Sequence, residues 1–336
     1  MDSTQADKVK GAIYGLAYGD AWGWPLEFNS YQSIANNPFT DFPTNAIITD
    51  DTQMSLYALE AIQDNYTFFA NEDSDEATAR LLFGESFIHF MKDPKNNRAP
   101  GITCMESLEK LSFSPKISGL EGTNFNSKGC GANMRNPWFG LLPYSDHNIE
   151  RLSVIQASTT HYHPLALSAS ALTALVTKSL LQNQIDFTQT TVFQHTRELI
   201  ETLIHKNEHN PFDAQYLKGL YAIRNFFAAN NDKFYDYINT PQPERYDLCE
   251  IFGEGKVAEE ALLLAIAAVD KYPDDSFTGL KYLVHTSGDS DSIAAIGGAF
   301  FGAKNGYHAF NPDWVKNLEP DYANELYETY TWLRTL

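Results

Sequence analysis

Positive charge is in short supply. The 336 residues include 24 Lys and Arg against 43 Asp and Glu, a net charge of −19. That balance excludes a general nucleic-acid binder, whose phosphate contacts need a basic surplus. It also argues against adhesion to an anionic membrane. Cysteine is scarce as well. Cys104, Cys130 and Cys249 are odd in number, widely spaced and form no CxxC. This speaks against a disulfide framework or a cysteine-based zinc site and favours a reducing, cytoplasmic setting. The longest uncharged apolar stretches, residues 165–177, 261–269 and 293–303, fall short of the ~20 residues that span a bilayer. The first residues, Met-Asp-Ser-Thr-Gln-Ala-Asp, lack the basic start of a secretory leader. There is no GxxxxGK[ST] phosphate loop, no GxGxxG after a strand and no GxSxG nucleophile elbow.

What is present is helical periodicity. Val9, Ala12, Ile13, Leu16 and Ala17 recur at the spacing of one helix face. Gly11, Gly15 and Gly19 fall four apart on a neighbouring face, and the cost of three glycines to a helix implies close approach by another backbone. Further helices are predicted over residues 52–64, 164–182, 257–270, 293–304 and 319–336. Period-2 alternation is rare, so the fold class is all-α. Residues 29–45, 93–101, 112–135 and 239–255 read as loops, rich in Gly, Pro, Asn and Ser. None resembles a flexible linker, and one domain over residues 1–336 is the expectation.

Two acidic clusters stand at predicted helix starts: Thr49-Asp50-Asp51-Thr52 and Gly288-Asp289-Ser290-Asp291-Ser292. Capping alone explains such residues at a helix N-terminus. Yet each cluster has more carboxylate than a cap needs, and carboxylates beside hydroxyls form an all-oxygen ligand set suited to hard divalent cations. The second cluster is not an EF-hand, because Ala294 and Phe300 occupy the positions of the required Gly and Glu. Glu27 follows a Gly- and Trp-rich bend, and spacing alone does not single it out. Residues 129–135, Gly-Cys-Gly-Ala-Asn-Met-Arg, resemble a loop that offers its backbone to a ligand. His161 and His163 precede a helix without a zinc-like spacing to other ligands, so contact with a polar ligand or plain packing suits them better than metal.

Taken together, Gly11 to Ala21 with Glu27, Thr49 to Thr52, Gly129 to Arg135, Thr160-His161 and Gly288 to Ser292 resemble, in order, the motifs of the ADP-ribosylglycohydrolases. This group includes dinitrogenase reductase-activating glycohydrolase and the ADP-ribosyl-acceptor hydrolases. The resemblance implies an orthogonal helical bundle with two divalent cations, Mg²⁺ or Mn²⁺. It implies Thr49, Asp50, Asp51, Asp289, Asp291 and Ser292 as metal ligands. It further implies Glu27, Asp50 and Asp291 as catalytic acids or bases, and Gly129, Gly131, Asn133, Arg135 and His161 as the ADP-ribose contacts. Serines stand at 287, 290 and 292 where the family commonly has Gly, Thr and Thr, and Cys130 stands where a polar residue is more usual.

The implied activity is removal of ADP-ribose from a modified protein side chain, with arginine the favoured acceptor. Immunity against an ADP-ribosyltransferase toxin is one setting. The alternatives are a binding protein that neutralises such a toxin by occlusion, or a hydrolase of ADP-ribosyl-serine or small ADP-ribose derivatives.

Overall fold

The computed structural model describes residues 1–36, 41–98, 100–114, 117–209, 211–241 and 246–336. Among these residues the chain forms sixteen α-helices and five short 3-10 turns, and its extended pairing is confined to isolated bridges such as Ala46 with Leu318. The all-α expectation holds, and a single apolar cluster runs from Val9 to Leu333. The predicted helices appear as Asp50–Asp64, Pro164–Leu181, Ala258–Lys271, Ser290–Asn305 and Pro320–Thr335.

The glycines of the first helix, Ser3–Gly23, explain the centre of the fold. A Cβ on Gly11 would collide with Gly302 and Gly306, on Gly15 with Gly298, on Gly19 with Ala294, and on Gly23 with Ser290 and Asp291. The partner positions fall as the first-helix positions rise, both in steps of four. The first helix and Ser290–Asn305 therefore lie antiparallel, in backbone contact along their length. Each glycine costs roughly 1 kcal/mol of helix propensity relative to alanine, and the close packing this allows offsets that cost. The consequence is positional: the end of the first helix is fixed beside the start of Ser290–Asn305, where the second acidic cluster lies.

Pro164–Leu181 is long and apolar enough to cross a membrane, but 89% of it is buried inside the fold. Its start explains one of the paired histidines. Nδ1 of His163 accepts the Leu165 N–H at 3.2 Å, so His163 is a helix cap.

Three of the expected loops carry short helical turns: Tyr31–Asn36, Cys130–Ala132 and Cys249–Phe252. The last forms because Asp247 accepts the Cys249 N–H at 3.0 Å while Cys249 and Phe252 turn inward. Residues 37–40, 99, 115–116 and 242–245 of the expected loops lie outside the described residues.

Candidate active site

Beyond Gly23 the chain makes one 3-10 turn, Trp24–Leu26, and presents Glu27. The next residue, Phe28, has φ 54°, a left-handed conformation that is costly for a phenylalanine. It is held there by its N–H, which donates to the Gly288 carbonyl at 3.0 Å. That bond ties the Glu27 bend to the residue before Asp289. Carboxylate oxygens of Glu27, Asp289 and Asp291 thereby come within 4.8 Å of one another.

The first acidic cluster arrives from the Asp50–Asp64 helix. Thr49 occupies the cap position, yet its side chain does not cap. Asp20, fully buried in the first helix, does so instead. It accepts the Thr49 N–H at 2.9 Å, the Thr52 N–H at 3.1 Å and both threonine hydroxyls. Asp50 and Asp51 are thus released from capping. Asp50 accepts the Gly101 N–H at 3.1 Å, and Asp51 Oδ2 faces the Thr49 hydroxyl at 3.3 Å. Asp51 Oδ1 is buried without a hydrogen-bond partner. Asp51 also feels the charges of Asp20, Asp50 and Asp289, so the two clusters meet.

So many buried carboxylates hold their protons tightly. Burial, followed by the charges of Asp289, Asp50 and Asp20, pushes Glu27 up to about 8. Burial likewise pushes Asp50 up to about 7, and Asp51 and Asp291 well above the usual carboxylate range. Asp289 is raised too, chiefly by burial. Asp20 reaches only about 6, because its bonds from Thr52 and Thr49 counter its burial. Such a cluster is stable protonated or around a cation. The donors are carboxylate and hydroxyl oxygens, and one of them, Asp51 Oδ1, has no other partner. The residues present therefore fit a hard divalent cation.

The loop at residues 129–135 lies against His161. A Cβ on Gly131 would sit 3.2 Å from the imidazole and one on Gly129 3.4 Å, so glycine lets this backbone rest on the ring. The His161 Nδ1 pairs with the Thr160 hydroxyl at 2.9 Å. Burial, then the nearby Arg135 charge, lowers its pKa to about 3, so His161 is neutral.

The other two candidate contacts in this loop point elsewhere. The Asn133 side chain donates to the Ala258 carbonyl and accepts from Thr173. Arg135 is fully buried, with its guanidinium over the Phe87 ring and its N–H groups given to Gln156 and Thr160. Expected to face the substrate, Asn133 and Arg135 instead brace the loop from within, because the helices packed around it supply all their polar partners.

Two residues gain roles that the sequence motifs left unassigned. Asp20 organises the Thr49 turn, and its signal was a lone acid in an otherwise uncharged buried stretch from Gly11 to Gly23. Cys130 directs its thiol at Asp289 Oδ2, 3.1 Å away. No spacing rule points to that contact, which joins residues 159 positions apart.

A family model described as ADP-ribosylglycohydrolase matches residues 1–336. Among curated proteins, the ADP-ribosylhydrolase ARH3 of Gallus gallus is 26% identical over 309 residues, covering 84% of this chain and 78% of that one. The ADP-ribosylhydrolase ARH1 of Dictyostelium discoideum is 24% identical over 358 residues, covering 92% and 89%. A solved structure of an ADP-ribosylglycohydrolase-related protein complex shares the fold, with a TM-score of 0.61 at 18% identity, covering 99% of this chain and 98% of that one.

Proposed function

The chain belongs to the ADP-ribosylglycohydrolase family, and on that premise we propose that it is a divalent-cation-dependent hydrolase that removes ADP-ribose from modified protein side chains, with arginine the favoured acceptor. The observation that carries this reading is the convergence of Glu27, Asp289 and Asp291 within 4.8 Å. Relatives named ADP-ribosylhydrolase support removal of ADP-ribose as the activity class.

The reaction adds water across the bond between the anomeric carbon and the acceptor atom, giving free ADP-ribose and the unmodified side chain. Positive charge develops on the sugar as the bond breaks, and nearby carboxylates favour it. Arginine is a poor leaving group as an anion, so it departs protonated. Glu27, half-buried at the edge of the cluster and beside Asp289 and Asp291, is placed to supply that proton. Asp50 and Asp291, deeper in the site, are the candidates to take one from water.

Thr49, Asp50, Asp51, Asp289, Asp291 and Ser292 would hold the cations, two in number and Mg²⁺ or Mn²⁺ in this proposal. When bound, they supply positive charge that orients the ribose diol and a water. The glycines at 129 and 131 offer main chain to the ADP-ribose, and neutral His161 supports that turn from below.

Incubation with arginine-linked and serine-linked ADP-ribosyl proteins, each with and without Mg²⁺, tests the reading. Release from the arginine conjugate with Mg²⁺ is expected. Release from the serine conjugate alone would reassign the acceptor, and release from neither would sink the protein-directed activity.

A further inference from the structure

We propose that Cys130 brings a sulfur donor into the metal site, so that this chain's centre takes thiophilic divalent cations such as Zn²⁺ and Cd²⁺ more tightly than an all-oxygen site would. The inference rests on the reading that the acidic cluster holds a divalent cation.

The Cys130 Sγ lies 3.1 Å from Asp289 Oδ2 and 3.5 Å from the Ser292 hydroxyl oxygen. These are two of the ligands contributed by one side of the site. For a cation with sulfur at about 2.3 Å and oxygen at about 2.1 Å, adjacent ligands are separated by about 3.1 Å at a right angle and about 3.6 Å at a tetrahedral angle. Both observed separations fall on such an edge. The sulfur can therefore join Asp289 and Ser292 around one ion without moving them apart.

Its position is held from several directions. Cys130 opens the Cys130–Ala132 turn, and its own N–H donates to the Lys256 carbonyl at 3.1 Å. Gly129 and Gly131 on either side rest on His161. The thiol is buried, so water competes little for it. A second observation points independently to a cation here: Asp51 Oδ1 is buried without a partner, and Asp51 lies close enough to Cys130 that its charge acts on the thiol.

The remaining cysteines are not so placed. The Cys104 sulfur faces the Arg135 guanidinium at 3.7 Å, and Cys249 packs behind Gly288. Ligation is an exchange that balances simply. The cation takes the thiol proton's place on sulfur, and that proton leaves to solvent. Soft sulfur ligands favour Zn²⁺ and Cd²⁺ over Mg²⁺, which prefers oxygen.

The full-length protein titrated with Cd²⁺ gives the direct readout, the ultraviolet charge-transfer band of a cadmium–thiolate bond. The band is expected in the wild type and in Cys104→Ser, and is expected to vanish in Cys130→Ser. Calorimetry should show the Zn²⁺-to-Mg²⁺ affinity ratio falling by about tenfold or more in Cys130→Ser. A wild type that binds Mg²⁺ and Cd²⁺ without the band overturns this inference alone, and so does a band that survives Cys130→Ser. A wild type that binds no divalent cation overturns the metal reading together with it.

Discussion

Asp20 grips Thr49 twice, accepting its backbone N–H at 2.9 Å and its hydroxyl at 2.8 Å. The first helix thereby caps the Asp50–Asp64 helix, and Thr49, Asp50 and Asp51 are set as a unit. Asp20→Asn keeps the volume but cannot accept the same set of bonds. Cation affinity measured by calorimetry is expected to fall by about 10- to 100-fold, the usual cost of losing a group that orients ligands. Helical content by circular dichroism should be retained. Undiminished affinity would show that Asp20 serves stability alone.

The carboxylate cluster makes stability depend on pH. Without cation, Glu27 is raised to about 8 and Asp50 to about 7, whereas in the unfolded chain such groups titrate near about 4. The folded state therefore holds more protons than the unfolded state across that interval. Stability contributed by these groups is present below about pH 4 and is lost as pH rises through about 7 to 8. A cation that neutralises the site reverses the loss. Mg²⁺ or Mn²⁺ is expected to raise the Tm more at about pH 8 than at about pH 5, and at one hundred times Kd the gain is about 2.7 kcal/mol. A shift of equal size at both pH values would contradict the placement of the cation among these acids.

The same repulsion sets function against stability. Asp291 is buried and feels the charges of Asp51 and Asp289. Asp291→Asn removes an acid that the cluster either keeps protonated far above its ordinary range or, at higher pH, forces to carry an uncompensated charge, a cost that asparagine does not incur. The cation-free variant is expected to melt higher than the cation-free wild type while hydrolysing nothing. A lower Tm would mean that the cluster is not under electrostatic strain.

The helix pair offers a steric test remote from the chemistry. A Cβ on Gly15 would overlap the Gly298 backbone. Gly15→Ala must push the first helix away from Ser290–Asn305, costing about 1–3 kcal/mol or more. Glu27 is carried by one helix end and Asp289 by the other, so turnover should fall along with the Tm. Turnover preserved at full level would show that the site does not depend on this register.

Much of this architecture is legible in the sequence, for identifiable reasons. The glycines at 11, 15 and 19 announce a close backbone neighbour because nothing else justifies them in a helix, and the structure supplies Gly302, Gly298 and Ala294. The acidic clusters are legible as oxygen-rich groups at helix starts. Where Asn133 and Arg135 point is not legible, because a side chain's direction depends on which helices surround its loop. Arg135 faces inward since Gln156, Thr160 and Phe87 meet it there. The isolation of Asp20 in the first helix marks it, but its partner Thr49 and the contact of Cys130 with Asp289 are hidden for a related reason: both contacts join segments distant in sequence.

Arg135 gives a prediction that separates bracing from binding. Lysine cannot reproduce its bonds to both Gln156 and Thr160 or its stacking on Phe87. Arg135→Lys is expected to lower the Tm by several degrees. Among molecules that remain folded, KM should change little. A large rise in KM with an unchanged Tm would place the guanidinium on the substrate.

The central claim is that the paired acidic clusters make a cation-dependent hydrolytic centre. The most direct measurement is the rate of ADP-ribose release from an ADP-ribosylated arginine protein, for wild type and for Asp289→Ala, with Mg²⁺ and after EDTA. Release by the wild type with Mg²⁺ is expected, together with loss after EDTA, recovery on adding Mg²⁺ or Mn²⁺, and none from the folded variant. Release that persists both after EDTA and in Asp289→Ala would contradict it.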